Sequence, residues 1–313
     1  MKAIGVLVYG GPEALEIINV PEVNVGPGEI RIKNQASGVN PTDVGVRDGR
    51  KAELQKKYSP PYVPGMDLSG VVDQVGDDVI TGIKVGDKVM AMVCPYSIHG
   101  AYREQIVLDQ RAVVKVPKNT SFVEACTLPM NSLTARQSLD LLGLKSGQVL
   151  AVTGGPGAYG GYVIQLAKTE GLTVIVDSSK NDENLLKSLG ADIIIPRGES
   201  YVDKIREHFP DGVDGLADGA LLNEQAIGAV KNGGIFTSIR GFKGLPQREI
   251  KFTTTWVFSY DGEYEKLDTL RKQVEKGELT LRVADTVLPE NAAEAHRRLE
   301  AGGTRGRMVI NWE

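Results

Sequence analysis

Residues Gln148–Gly161 read QVLAVTGGPGAYGG. The apolar run from Gln148 to Thr153 has the composition of a buried strand, and it enters a turn with glycines at Gly154, Gly155, Gly157, Gly160 and Gly161. A helix follows, with Val163, Ile164, Leu166 and Ala167 on the face that meets a sheet. The first turn of such a helix leaves backbone N–H groups without acceptors and carries partial positive charge, so it attracts a diphosphate. Glycine lets that backbone turn sharply and approach phosphate closely, which is the use expected of Gly154, Gly157 and Gly160. Pro156 has no N–H, so Ala158 and Tyr159 are the better donors. A bare strand-to-helix turn would explain the glycines equally well. What favours a dinucleotide is the second strand and its acid, Asp177, twenty residues beyond Gly157.

Outward from this turn, strands and helices alternate. Val174–Val176, Ile193–Ile195 and Ile235–Ile239 read as strands, and Asp182–Leu189, Val202–His208 and Glu224–Val230 as helices. That alternation predicts a doubly wound parallel sheet with helices on both faces over residues 121–254. Residues 1–120 differ. Short Val/Ile runs at Glu29–Lys33, Ser69–Val75 and Lys88–Val93 are bounded by Gly, Pro and Asp, which predicts a β-rich, barrel-like domain. Residues 255–313 return to mixed character, with helices at Glu263–Lys276 and Glu290–Ala301 and a strand at Met308–Ile310. Arg47–Pro64 is polar and rich in Lys and Pro, and is expected to be a long exposed loop.

The chain has 313 residues, 41% hydrophobic and 24% charged, with a net charge of −4. No basic excess favours nucleic acid, and no apolar run approaches a membrane span. The N-terminus lacks the pattern of a signal peptide, so a cytoplasmic location is the expectation. Two cysteines, Cys94 and Cys126, form neither a disulfide framework nor a four-cysteine zinc lobe.

The dinucleotide itself is contested. Asp177 suits the ribose hydroxyls of NAD, whereas Ser178, Ser179 and Lys180 suit the 2′-phosphate of NADP. Residues alone leave both open, and Arg197 is a further phosphate partner or a solvated side chain.

Eight segments carry a resemblance along nearly the whole chain: GVNPTDVGVRDG, PYVPGMDLSGVVDQVGDDVITGIKVGDKV, GAYREQIVL, LPMNSLTARQSL, VTGGPGAYGG, LLKSLGAD, GGIF and RGRMVI. The chain resembles the medium-chain dehydrogenase/reductase superfamily, in its zinc-independent quinone oxidoreductase-like branch. The resemblance implies an α/β chain, with a GroES-like catalytic domain from both chain ends, a Rossmann domain within, a cofactor cleft between them, and a homodimer. It places Asn40, Met66 and Met130 where zinc relatives carry their catalytic ligands. An amide and two thioethers do not hold that ion, so no zinc is expected. The resemblance also implies that Asn40 lies by nicotinamide and substrate and that Asp43 holds its loop. Thr134, Ile239, Arg240 and Arg307 would contact the cofactor. Ser178–Lys180 after the second strand tips the expected cofactor toward NADP(H), with NAD(H) still possible.

Metal-free hydride addition to a quinone, enone or other activated alkene fits this inventory, because hydrogen-bond donors can stabilise the charge that develops on a carbonyl oxygen. Tyr62, Tyr58 or water would supply the proton. Phe252, Trp256, Phe258 and Tyr260 are candidates for an aromatic substrate wall or a dimer interface. The alternative is a non-enzymatic dinucleotide-binding redox sensor or structural protein.

Overall fold

The structure, a computed structural model, describes residues 1–313. The chain divides into two compact units, one of Met1–Met130, Asp261–Glu275 and Leu281–Glu313, the other of Asn131–Tyr260 and Lys276–Thr280. The first boundary falls later than position 121 because the one-turn helix at Phe122–Ala125 packs on strands of the first unit.

The first unit contains β1 (Lys2–Gly5), β2 (Glu16–Asn19), β3 (Glu29–Gly38), β4 (Asp67–Val75), β5 (Lys88–Met92), β6 (Gln105–Asp109) and β7 (Val113–Lys115). Its helices before the second unit are α1 (Pro41–Arg47), α2 (Ala52–Gln55) and α3 (Phe122–Ala125). Period-two burial shows why β3 is a strand: Ile30, Ile32 and Asn34 point inward while Arg31 and Lys33 do not. Ile30 and Ile32 join Leu68, Val72, Val89, Ala91 and Ile106 in one core.

The expected loop at Arg47–Pro64 is only partly a loop. Residues Ala52–Gln55 make a helical turn, and buried Gln55 accepts the Ser97 N–H at 2.9 Å and donates to the Pro95 carbonyl at 3.3 Å. A polar side chain that ties two segments together gave no periodic signal.

The second unit takes most of α4 (Pro129–Leu142). It continues with β8 (Val149–Thr153), α5 (Ala158–Thr169), β9 (Thr173–Ser178), α6 (Glu183–Ser188), β10 (Ile193–Pro196), α7 (Tyr201–His208), β11 (Val213–Asp218), α8 (Glu224–Ile227), β12 (Val230–Ser238) and β13 (Lys251–Thr254). Six parallel strands run in the order β10-β9-β8-β11-β12-β13. The strand order reverses beside β8, where an open parallel sheet leaves a crevice at its carboxyl edge. Leu150, Ala151 and Val152 are completely buried, as a strand covered on both faces requires.

The helix expected over Glu224–Val230 ends at Ile227, and Val230 instead begins β12 opposite Val213. Burial of Val230 in the sheet core outweighs its place in the helical pattern. The stretch Phe242–Tyr260 contains edge strand β13.

The chain returns to the first unit with α9 (Tyr264–Glu275), β14 (Val283–Val287), α10 (Ala292–Ala301) and β15 (Arg307–Asn311). β15 lies antiparallel to β3, so the carboxyl-terminal strand is built into the sheet of the amino-terminal segment. No helix is long and apolar enough to cross a membrane.

Candidate active site

In the second unit, Gly154 ends β8 with φ of +69°, a conformation that favours glycine. A Cβ on Gly160 would lie 2.4 Å from the Gly154 carbonyl oxygen, so helix α5 can sit this close to the strand only without a side chain there. Gly157 caps α5 without a side-chain hydrogen bond, and the first intrahelical bond is Gly161 N–H to Gly157 oxygen at 3.0 Å. The N–H groups of Ala158, Tyr159 and Gly160 therefore have no helical acceptor. This cradle of donors without helical acceptors and of absent Cβ atoms fits a diphosphate.

Asp218, at the end of β11, fixes the opposite rim. Its carboxylate accepts from the Thr153 hydroxyl at 2.6 Å and from the N–H groups of Leu222 and Asn223 at 3.1 and 2.8 Å. The Thr153 hydroxyl in turn accepts the Ala220 N–H at 2.9 Å. This acid is not among the candidates that the sequence pattern picks out. Its signal is an aspartate at the end of a strand.

Asp177 is buried, and both its oxygens are engaged. One accepts the Gly154 N–H at 3.2 Å and the other the Arg197 guanidinium at 2.8 Å. Arg197, from the end of β10, leaves 49% of its side chain exposed. Lys180 is exposed. The Ser178 hydroxyl donates to the Ser179 carbonyl at 2.6 Å, and that of Ser179 to Asp182 at 2.7 Å. The contest between Asp177 and Lys180 thus has a third member, because parallel pairing of β9 and β10 brings Arg197 beside the acid.

Further along the carboxyl edge, four hydroxyls connect in the interior. Tyr159 donates to Ser138 at 2.8 Å, Ser138 meets Thr255 at 2.8 Å, and Thr255 meets Thr237 at 3.1 Å. Ser138 also bonds the carbonyl of Thr134, itself buried in α4. Ile239 is half-buried and Arg240 exposed just beyond β12. The four aromatics proposed as a wall separate. Phe252 packs against Phe236 and Phe242, Trp256 stacks on Phe258 at 4.8 Å, and the Tyr260 hydroxyl donates to Asp140 at 2.6 Å.

In the first unit, the adjacent ends of β15, β3 and β4 bring together Arg307, Asn40 and Asp67, all buried. Arg307 donates to Asp67 at 2.7 Å and to the Asn40 carboxamide oxygen. The Asn40 amide donates to Asp67 at 2.9 Å and, more weakly, to the Gly38 carbonyl at 3.4 Å. Asp67 also accepts the Met130 N–H at 2.7 Å. Arg307, expected beside the cofactor, is here the partner of a buried carboxylate. Burial pushes Asp67 up, and the Arg307 charge, the Asn40 amide and the Met130 N–H pull against it.

Asp43 is equally buried. It accepts the Asn40 N–H at 2.8 Å, the Gly65 N–H at 3.1 Å and the Tyr102 hydroxyl at 3.1 Å. With Asn40 it forms the capping box of α1. Burial raises its pKa to about 7 against the Asn40 N–H and Arg307, with Asp67 adding to the rise. Tyr62 is buried, stacks on Tyr9 with ring centres 5.4 Å apart, and donates its hydroxyl to the Tyr58 carbonyl at 3.0 Å. Tyr58 is exposed and stacks on Tyr96.

No three His, Cys, Asp or Glu side chains are grouped to hold a metal ion. At the ligand positions of zinc relatives, Met66 and Met130 are buried thioethers and the Asn40 carboxamide is bonded within the triad, a donor set that does not fit zinc.

Comparison with known proteins places the chain in a family. The family described as alcohol dehydrogenase GroES-like domain matches residues 26–118, and the zinc-binding dehydrogenase family matches residues 189–310. A 2-methylene-furan-3-one reductase of Solanum lycopersicum is 33% identical over 99% of this chain and 79% of its own. An NADPH-dependent alkenal/one oxidoreductase of Arabidopsis thaliana is 29% identical over 99% of this chain and 79% of its own. The structure of a quinone oxidoreductase from Coxiella burnetii superposes with a TM-score of 0.88 at 29% identity, over 100% of this chain and 99% of that one. On sequence and fold alike, the chain belongs to the medium-chain dehydrogenase/reductase superfamily, in its quinone oxidoreductase-like branch.

Proposed function

We propose that this protein uses NADPH to reduce enones, quinones or related activated alkenes. The observation that carries the reading is the uncapped N-terminus of α5 behind Gly154–Gly160, in a chain whose relatives are named for alkenal/one, furanone and quinone reduction. When bound, the reduced nicotinamide supplies the hydride. The donors of Ala158, Tyr159 and Gly160 hold the diphosphate, and Thr134, Ile239 and Arg240 line the path toward the nicotinamide. Of the two Asn40 amide hydrogens, the one in the long 3.4 Å contact with Gly38 is the one released to the ligand, where it stabilises charge developing on a carbonyl oxygen. Hydride adds to carbon, and a proton completes the reduced product. We assign that proton to solvent, since the Tyr62 hydroxyl already donates to the Tyr58 carbonyl.

The test is NADPH oxidation against a panel of quinones and enones, alongside direct NADPH titration. Tight NADPH binding with no turnover on any acceptor would favour the redox-sensor reading instead.

NADPH is favoured over NADH because the Gly154 N–H and the Arg197 guanidinium already compete for the two Asp177 oxygens, and half-exposed Arg197 can turn to a 2′-phosphate while keeping its charge beside the acid. Wild-type protein should bind NADPH about tenfold more tightly than NADH, about 1.4 kcal/mol. Arg197→Gln should weaken NADPH and leave NADH unchanged or stronger, as read by nucleotide fluorescence titration. An unchanged ratio would remove Arg197 from the site.

A homodimer is proposed as well. β13 is an edge strand with unpaired backbone groups, and natural proteins cover such edges. Light scattering should give twice the 33.7 kDa of the chain.

A further inference from the structure

Behind the capping box of α1, the buried groups form a line that reaches the surface. Glu300 on α10 receives two hydrogen bonds from Arg47, each 2.9 Å. Arg47 Nη1 lies 3.4 Å from His296 Nδ1, His296 Nε2 lies 3.2 Å from the Tyr102 hydroxyl, and that hydroxyl lies 3.1 Å from Asp43. Tyr102 and His296 are completely buried, and Arg47 nearly so.

Donor chemistry gives this line a direction. A guanidinium has only N–H groups, so Nδ1 of His296 must accept and the imidazole proton sits on Nε2. Nε2–H then donates to the Tyr102 oxygen, leaving the phenol proton for Asp43. Burial, reinforced by the Arg47 charge, lowers the His296 pKa to about 3, which keeps the ring neutral through the physiological range. From Arg47 inward, each link points toward Asp43, which receives the Asn40 and Gly65 N–H groups from the opposite side.

We propose that Arg47, His296 and Tyr102 are positioning residues that orient Asp43, and through it the Asn40 loop, for hydride transfer. They lie on α1, on α10 and after β5, so three separated segments converge on one carboxylate. The two further charges that act on Asp43 are Arg307 from β15 and Asp67 from β4, of opposite sign. The ionised form of Asp43 matches its three donors. Once protonated it presents a donor where it now accepts, and one contact must open. The rate should therefore fall as pH drops through about 7.

The inference rests on the reading that Asn40 meets the reacting end of the ligands. Tyr102→Phe removes one oxygen and should lower kcat about tenfold while the KM for NADPH stays within about twofold. Its acid limb should move up by about half a pH unit or more, because a donor that favours the ionised form is gone. His296→Gln, which can still accept from Arg47 and donate to Tyr102, should retain most of the rate that His296→Leu loses. Wild-type kcat and an unmoved acid limb in Tyr102→Phe would overturn the proposal even if His296→Leu fails to fold. Imidazole ¹⁵N spectra test the line without turnover. His296, distinguished from His99 and His208 by the His296→Gln variant, should show its proton on Nε2 and no titration between pH 5 and 9, whereas a proton on Nδ1 would refute the direction of the chain. Full kcat in Asn40→Ala, with the spectrum as expected, would place the fault in the assignment of Asn40 and not in the line itself.

Discussion

Gly157→Asp should raise the Kd for NADPH by about 100-fold or more while leaving the thermal midpoint at or above that of the wild type. Two effects of one carboxylate act in opposite directions. Gly157 is the N-cap of α5 with φ of −67° and ψ of 169°, an extended conformation that aspartate adopts freely. An acid at this position gains a hydrogen bond to the first helical turn and complements the dipole, worth a few tenths of a kcal/mol over glycine. The new Cβ would lie 3.2 Å from the Gly154 oxygen, a contact that a small shift relieves. For the ligand the balance reverses. The carboxylate takes up the N–H groups that the diphosphate needs and adds like charge, about 4 kcal/mol for unit charges about 4 Å apart at an effective dielectric of about 20. Gly157→Ala, with the Cβ but no charge, should lose far less. Gly160→Ala should behave differently again and lower the thermal midpoint, since its Cβ meets the Gly154 oxygen at 2.4 Å. Nucleotide titration and thermal unfolding on the three variants separate charge, shape and fold. Wild-type affinity in Gly157→Asp would mean that the α5 N-terminus does not bind the diphosphate.

That experiment addresses the part of the molecule most legible in the sequence. The glycine turn could be read because local constraints wrote it: a strand too apolar for the surface, glycines where a helix must approach its strand, and an acid at the next strand end. The alternation around it gave the parallel sheet, since strands covered on both faces leave near-continuous apolar runs. What escaped was decided by pairing across the chain. Arg197 answers Asp177 only because β10 lies beside β9. Asp67 stands next to Leu68 at the start of β4, in a strand pattern that gave no reason to expect a buried ion. Arg307 arrives beside it from the far end of the sequence because β15 joins β3. His296 carries no signal in the sequence beyond its place in a helix, yet its ring is enclosed and tied to Tyr102. Val230 shows the same limit for secondary structure. Its helical spacing was real, and sheet burial decided against it.

The triad at the ends of β15, β3 and β4 supports the second large expectation. Arg307→Leu should destabilise the first unit by about 3–5 kcal/mol near neutral pH, because it leaves a buried carboxylate without its cation. Asp67 is fully buried, and its remaining partners, the Asn40 amide and the Met130 N–H, are neutral. The pH dependence gives a sign to check. Burial already raises the folded-state pKa of Asp67 above its unfolded value, and the Arg307 charge is the leading opposing influence. Without Arg307 that pKa rises further. A group with a raised folded pKa contributes stability that is complete below the unfolded value, about 3.9, and is lost as pH increases through the folded one. The deficit of Arg307→Leu relative to wild type should therefore widen between acidic and alkaline pH, and urea titrations at pH 5 and pH 8 read it directly. Adding Asp67→Asn should recover part of the loss, since the unpaired charge is then gone, and the non-additivity measures the coupling between the two side chains. A deficit that is small and independent of pH would mean that Asp67 is already protonated in the wild type. Arg307 would then hold only the Asn40 carboxamide, and the triad would orient that amide with a neutral acid at its centre.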